Sequence, residues 1–335
     1  MKKLGIAIIG CGAISKNHGD AVLKSTNGEL LYCMDIIEEK AKEFSKRYGG
    51  IPLNDHKGIL ADPNVDIVHI CTPHHTHPAL AIEALEHGKH VFCEKPMSIH
   101  PGDAKKMIEV SEKNHRYLGV CFQNRMNPTT VMAKKTIESG RYGKILSAMA
   151  RVAWDRHGAY YTESSWRGKY ATEGGGVIIN QAIHTIDLLD YLCGGISTVT
   201  AIATKLRDTD DYEVDDSCMA NFGLCNGGSA VGHFTNCYTC GKLAQVEIIC
   251  EKAKIIVDQC KLEIITENET KIYTGDSPKG KKSEWGMSHS RIIQLFYNCI
   301  LENKPFFVDG HSAIRAVLIV DAIKRSNGRL VRIEA

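Results

Sequence analysis

The segment GIAIIGCGAIS, residues 5–15, decides how the rest of the chain is read. A short apolar run ends on Gly10, a second glycine follows at Gly12, and Ser15 stands where the last glycine of a G-x-G-x-x-G pattern would fall. Gly10 allows a tight turn after a strand, and Gly12 lets backbone approach a pyrophosphate. The amides that open the next helix, from Ala13 and Ile14 onward, face phosphate charge. By itself the pattern has low specificity, but its context sharpens it. Asp35 closes the next apolar run twenty residues after Ser15, where a carboxylate can accept from both hydroxyls of a ribose. That carboxylate repels a 2′-phosphate, and Ile36 and Ile37 bring no arginine to bind one. The expected cofactor is therefore NAD, with NADP disfavoured.

Outward from this segment, short apolar runs alternate with helical patterns. Strands are expected at 4–9, 29–34, 66–71, 90–93 and 117–122, and helices at 13–25, 38–48, 78–87 and 101–115. Regular alternation of this kind means βαβ units and a parallel, doubly wound sheet. After about residue 124 the pattern changes. A helix at 128–139 and a strand at 144–154 lead to a glycine-started helix, then to strands at 198–206, 217–222, 229–236, 244–250, 254–257 and 261–266 with no helix between them. Such a series implies an α+β domain with an open, mostly antiparallel sheet. Two helices, 288–302 and 311–326, close the chain. The expected division is 1–122 for a Rossmann domain and 123–335 for a substrate and oligomerisation domain, with the last helix packing back on the first.

Composition fits a two-domain globular protein: 335 residues, 43% hydrophobic, 24% charged and a net charge of +2. No basic run is long enough to track a phosphate backbone, so nucleic acid is not an expected partner. No segment reaches the ~18 apolar residues of a membrane helix. The start, MKKLGIAIIGCG, could pass for a secretion signal, but its apolar run is short and its glycines have the better explanation above. Thirteen cysteines are spread through apolar runs, as small core residues are in a reducing, cytoplasmic setting.

Three further segments carry chemistry. CTPHHTHPA follows the third long strand, where Thr72 and Pro73 can border a nicotinamide ribose. Its cluster His74, His75 and His77 is a poor metal site, since adjacent loop histidines seldom converge on one ion. Cys237 to Cys240 is a lone C-x-x-C expected inside a strand, where positions three apart point to opposite faces. No metal is expected. In CEKPM, Lys95 follows a buried strand beside Glu94. An ammonium there can hydrogen-bond a hydroxyl and stabilise the alkoxide that develops as hydride leaves. The third segment, EGGGVIINQAIHTIDLLDYL at 173–192, reads as a helix with an apolar stripe through Ile178, Ile179, Ala182, Ile183, Ile186 and Leu189. Asn180, His184, Asp187 and Tyr191 form a polar stripe, within roughly 60° of one another at ~100° per residue. On residue types alone, a metal, a catalytic base and a satisfied core histidine all fit.

In combination, G-x-G-x-x-S, Asp35, TPHHTH, EKP at 94–96, GVCFQNRMNP at 119–128, WRG at 166–168 and GGG-x₄-Q-x₂-H-x₂-D resemble the Gfo/Idh/MocA oxidoreductase family over essentially the whole chain. The resemblance implies an NAD(P)-dependent dehydrogenase acting on the CH–OH group of a sugar or polyol. It also implies a homo-oligomer, dimer or tetramer, built through the open sheet. Lys95 then matches the family lysine near nicotinamide and substrate, and His184 matches its general base. His74, His77, Glu94 and Gln123 fall on the cofactor side, and Trp166 and Arg167 match a pair reaching toward the nicotinamide. One position departs from the pattern: inositol dehydrogenase-like members carry aspartate four residues before the histidine, where this chain has Asn180. An amide cannot stabilise an imidazolium by charge, which leaves Asp187 as a nearby acid. Arg125, Trp154, Arg156, Tyr160, Tyr161 and His289 are further candidates for contact with a sugar. Two variant functions share these features: a glycoside-cleaving enzyme that recycles its NAD, and a non-catalytic NAD-binding regulator.

Overall fold

The computed structural model describes residues 3–242, 244–275 and 288–334. It divides into two compact units, Met1–Gln123 with Ser288–Ile314, and Asn124–Met287 with Arg315–Ala335.

Unit 1 runs β1 (Leu4–Ile9), α1 (Ser15–Leu23), β2 (Gly28–Met34), α2 (Glu38–Tyr48), β3 (Ile51–Leu53), α3 (Lys57–Ala61), β4 (Ile67–Ile70), α4 (His77–Glu86), β5 (His90–Cys93), α5 (Pro101–Lys113) and β6 (Leu118–Val120). All its strands pair in parallel, in the order β3-β2-β1-β4-β5-β6. Every residue of β1 and β4 is buried, as expected of a sheet covered on both faces, and this explains their unbroken apolar sequence. The sequence reading lacks β3. It is three residues long and contains Pro52, which an edge strand tolerates and a periodicity argument passes over. The strand order reverses between β1 and β4, so their carboxyl ends flank the switch point where such sheets take ligands.

Unit 2 contains α6 (Pro128–Glu138), β7 (Ile145–Ala153), α7 (Ala159–Thr162), a π-helical turn (Val177–Gln181), α8 (Ile183–Cys193), β8 (Ile196–Thr204), β9 (Ser217–Leu224), β10 (Ser229–Thr235), β11 (Gln245–Cys250), β12 (Lys254–Val257), β13 (Lys261–Ile265) and β14 (Thr270–Thr274). After α9 (His289–Leu301) and α10 (Gly310–Ser326), β15 (Val331–Arg332) joins the same sheet, whose order is β14-β13-β12-β11-β7-β10-β9-β8-β15. Only β7 and β10 run parallel; the other pairs are antiparallel. In β9, Cys218, Ala220 and Phe222 are buried while Met219 and Asn221 are exposed, the period-two pattern of a sheet covered on one face.

Three sequence expectations are corrected. β10 ends at Thr235, so Cys237 to Cys240 lies beyond the strand, with Cys237 in an isolated bridge to Asp155. The glycine-started helix is not continuous: Ala182 N–H bonds to Val177 O, a π-type span, before α8 begins. Finally, α9 clusters with unit 1, held there by Tyr297 to His69 and by Gln294 and Asn298 to Ser25 and Asn27. Of α10, only the residues through Ile314 cluster with unit 1. Its later turns bond within unit 2: Arg315 pairs with Asp190 at 3.0 Å, and Ser326 Oγ accepts from Ala201 N–H at 2.8 Å.

Candidate active site

In unit 1 the glycine loop is shaped by two different demands. Gly10 has φ +93°, and a Cβ there would lie 2.7 Å from the Cys71 carbonyl oxygen, so the loops leaving β1 and β4 meet only if this residue is glycine. Gly12 has no such neighbour: an added Cβ would meet no protein atom within 4 Å. Its glycine therefore answers to something other than the chain's own packing, as a position lying against a pyrophosphate does. Ser15 is fully buried, and its hydroxyl donates to Gly12 O at 2.7 Å, which satisfies the polar group that replaces a third glycine. Asp35, half-buried at the end of β2, accepts from Cys11 N–H and Ile37 N–H, both at 2.9 Å. One carboxylate thus braces the loop and retains lone pairs for hydroxyls. Beside it Ile36 is 84% exposed, an apolar surface of the kind an adenine ring covers. Ala13 is exposed and Ile14 half-buried at the start of α1. These features fit a dinucleotide.

The segment after β4 is tied to the one after β5. His77 is fully buried between two carbonyls, Pro96 O at 2.8 Å from Nδ1 and Thr72 O at 2.9 Å from Nε2. Burial lowers its pKa, against the pull of both carbonyls, so a neutral ring donates to one at a time. Thr72 and Pro73 are half-buried and His74 is buried. Lys95 and Glu94 are buried directly after β5, at the same carboxyl edge as the glycine loop.

Beneath Lys95 runs a chain of groups that sequence reading missed. Glu94 Oε1 lies 2.9 Å from His18 Nε2, His18 Nδ1 lies 2.8 Å from His69 Nδ1, and His69 Nε2 lies 2.9 Å from the Tyr297 hydroxyl. One set of tautomers satisfies every link. Tyr297 O–H donates to His69, His69 Nδ1–H donates to His18, and His18 Nε2–H donates to an ionised Glu94. Burial alone would raise Glu94, but the hydrogen bond from His18 and the nearby Lys95 ammonium hold it well below the usual carboxylate range. Burial keeps His69 neutral, far below the ordinary imidazole value. His289, a candidate for sugar contact, is buried in unit 1 with Nε2 3.8 Å from Glu94, and burial lowers it to about 4. Cys121 Sγ also comes within 4.8 Å of ligand atoms of His18 and Glu94, though a cation there would have to break the His18–Glu94 bond. Gln123 is buried at the start of the following 3₁₀ turn, which spans Gln123–Met126.

In unit 2, His184 is buried at the second residue of α8. Asp187 does not serve as a spare acid. It binds Arg125 through two bonds, Nε to Oδ2 at 2.9 Å and Nη2 to Oδ1 at 2.5 Å. Burial raises the Asp187 carboxyl and opposes the guanidinium, yet the bidentate contact holds Arg125 above its ordinary value, so the pair is ionic. Asn180 instead meets another carboxylate: its Nδ2 donates to Glu173, and the Tyr160 hydroxyl lies 3.2 Å from the same nitrogen. Arg167 stacks over Tyr160 at 4.6 Å and over Trp166 at 5.1 Å, and Arg156 covers Trp154 at 5.2 Å. Trp154 is buried and donates to Lys242 O at 3.0 Å. Tyr161 is buried against Tyr212, ring centroids 4.3 Å apart. The triple glycine is explained within the unit: Gly174 and Gly175 have φ of +84° and +146°, and a Cβ on Gly176 would sit 1.9 Å from Asp215 O.

Residues 4–122 match the model of the oxidoreductase family with an NAD-binding Rossmann fold, and residues 130–256 match the GFO/IDH/MocA C-terminal domain. The chain belongs to the Gfo/Idh/MocA oxidoreductase family. Its relatives include the levoglucosan dehydrogenase of Pseudarthrobacter phenanthrenivorans, 27% identical across 97% of this chain and 96% of that one. The myo-inositol 2-dehydrogenase of Thermotoga maritima is 26% identical across 96% and 95%. Among solved structures, the WlbA dehydrogenase from Bordetella pertussis in complex with NADH and UDP-GlcNAcA superposes with a TM-score of 0.87 at 29% identity, covering both chains fully. As a Gfo/Idh/MocA member, this chain is an oxidoreductase whose first unit carries the family's NAD-binding fold.

Proposed function

We propose that this enzyme oxidises a secondary hydroxyl of a sugar, sugar derivative, glycoside or polyol, using NAD in preference to NADP. The observation that carries this reading is a buried lysine, Lys95, standing at the carboxyl edge of the same sheet as the Gly10–Gly12 loop. Gly12 and the helix start would hold the pyrophosphate, Asp35 the adenosine ribose, and Ile36 the adenine. Thr72, Pro73, His74, His77 and Gln123 are assigned to the nicotinamide side, and by their match to the family pattern Trp166 and Arg167 are assigned to the cofactor as well. NAD, when bound, accepts hydride from the carbinol carbon. Lys95 donates to the hydroxyl oxygen and stabilises the alkoxide as its charge grows, while the anionic Glu94 next to it favours the ammonium form. His184 takes the hydroxyl proton. Arg125, held by Asp187, fixes α8 relative to the turn after β6. Tyr160 and Trp154 bear on sugar recognition, and His289 acts through Glu94.

Relatives named for levoglucosan and myo-inositol, and a solved dehydrogenase in complex with UDP-GlcNAcA, support a carbohydrate or polyol substrate. We further propose a homo-oligomer joined through the open sheet face. Incubating the purified protein with NAD or NADP and a panel of sugars, glycosides and inositols tests the reading. NADH appears with at least one substrate, and NADP supports a rate at least tenfold lower. Glycoside cleavage without net NADH would replace this reading with NAD-recycling chemistry.

A further inference from the structure

The family pattern puts a carboxylate where this chain has Asn180, and the fold brings one from seven residues earlier. Glu173 is fully buried; its Oε2 accepts from Gly168 N–H at 2.6 Å and its Oε1 from Asn180 Nδ2. An ionised carboxylate only accepts, so Glu173 fixes the amide with its nitrogen inward and its carbonyl oxygen turned away. The Tyr160 hydroxyl oxygen supports this setting, since it faces two amide nitrogens, Asn180 Nδ2 at 3.2 Å and Gln181 Nε2 at 2.7 Å. Gln181 is in turn fixed by Asn236, whose Nδ2 donates to its Oε1 at 3.0 Å. The charged and titratable groups facing Glu173 are Arg167, which favours the anion, and Asp215, Tyr160 and Tyr161, which oppose it. Burial is the largest influence and raises the carboxyl to about 7.

We propose that Glu173 is a positioning residue for the base on α8. Ionised, it locks Asn180 in the π turn, four residues before His184, with the amide oxygen turned away from the carboxylate and available to the base at the start of α8. Protonated, it donates to that oxygen and turns the amide round, so that an N–H donor replaces the acceptor. An acceptor steadies the imidazolium formed when His184 takes a proton; a donor opposes it. The carboxylate that the family pattern places beside the histidine therefore acts here through one intervening amide. The inference rests on the dehydrogenase reading with His184 as base.

The test compares pH profiles of kcat/KM for hydroxyl oxidation in wild type, Glu173→Gln, Asn180→Asp and the double variant Glu173→Gln/Asn180→Asp. Wild type carries a second ionisation on its acid side, a step of about tenfold superimposed on the limb of His184, whereas Glu173→Gln keeps that single limb, about tenfold per unit, without the step. Glu173→Gln lowers kcat about tenfold at neutral pH with little change in KM. Asn180→Asp sets two carboxylates against each other and moves the limb to higher pH. The double variant restores a carboxylate–amide pair and recovers kcat to within about threefold of wild type, a non-additivity that a merely structural pair lacks. A Glu173→Gln profile that overlays wild type, or a double variant whose losses simply add, overturns the proposal. If Glu173→Gln fails to fold, the double variant decides by its rate: kcat within about threefold of wild type supports the proposal, and a loss as large as that of Asn180→Asp overturns it. The Asn180 side-chain amide resonance, followed by NMR in the NADH-bound protein, gives a readout independent of turnover. It shifts with a midpoint near 7 in wild type, and a flat response overturns the proposal. An enzyme inert toward every substrate would sink the dehydrogenase reading while this resonance still tests the Glu173–Asn180 link.

Discussion

In the proposed reaction Lys95 and His184 divide the chemistry, and each has a separable signature. Lys95→Met should lower kcat/KM by about 10²–10³-fold, the typical loss of one preorganised donor, while NADH binding, read by fluorescence, stays within about threefold. His184→Gln should lower it by about 10²–10⁴-fold and remove the acid limb that the histidine supplies. Glu173 makes a stability prediction as well. Its folded pKa of about 7 stands above the ordinary carboxyl value of 4.5, so between those values the folded state keeps a proton that the unfolded chain has lost. Wild-type stability therefore falls as pH rises through that window and levels off above it, by on the order of 3 kcal/mol for the full shift. Glu173→Gln lacks this dependence, so thermal melts should show its Tm gaining on wild type from pH 4.5 to pH 7. A constant difference would place the Glu173 pKa in the ordinary range. The sequence displayed Glu173 only as the residue before three glycines. Nothing in its spacing signals that the chain folds it against Asn180, because the contact depends on a loop returning through Gly168.

Among the elements, the glycine loop separates packing from ligand binding. Gly10→Ala meets the Cys71 carbonyl and a positive φ, and should cost about 1–3 kcal/mol of stability, visible as a lower Tm. Gly12→Ala meets nothing; it should melt like wild type yet bind NADH on the order of tenfold or more weakly, since the new methyl stands where the pyrophosphate approaches. Equal melting and equal NADH affinity in both variants would remove the loop from the cofactor site. Strand and helix order were legible because apolar runs and glycine stops recur at the right spacing. What stayed hidden has physical reasons. β3 is too short and holds a proline. The π turn breaks a period that a regular helix would keep, and it follows Gly176, where a Cβ would sit 1.9 Å from Asp215 O. The His18, His69 and Tyr297 chain joins residues far apart in sequence, each of which alone reads as ordinary core.

For the whole molecule, the open sheet and the redox chemistry carry separate predictions. Ile202 is paired in register with Met219, and Val231 with Met149. These four side chains are 58%, 63%, 45% and 40% exposed in the single chain. An apolar patch across adjacent strands fits the proposed oligomer interface. Met219→Asp with Val231→Asp should shift the protein from oligomer to monomer in light scattering coupled to size exclusion; a wild type already monomeric at micromolar concentration would exclude this face. All thirteen cysteines are free thiols, and among the described residues no helix is long and apolar enough to cross a membrane. The central claim is net hydride transfer from a carbohydrate hydroxyl to NAD with Lys95 at the reacting oxygen. It is tested most directly by measuring NADH and ketone product together, for wild type and Lys95→Met, on the best substrate of the panel. Wild type should form one NADH per ketone, and the variant should lose about 10²-fold or more in rate. Product formed without NADH, or Lys95→Met turning over at the wild-type rate, would contradict it.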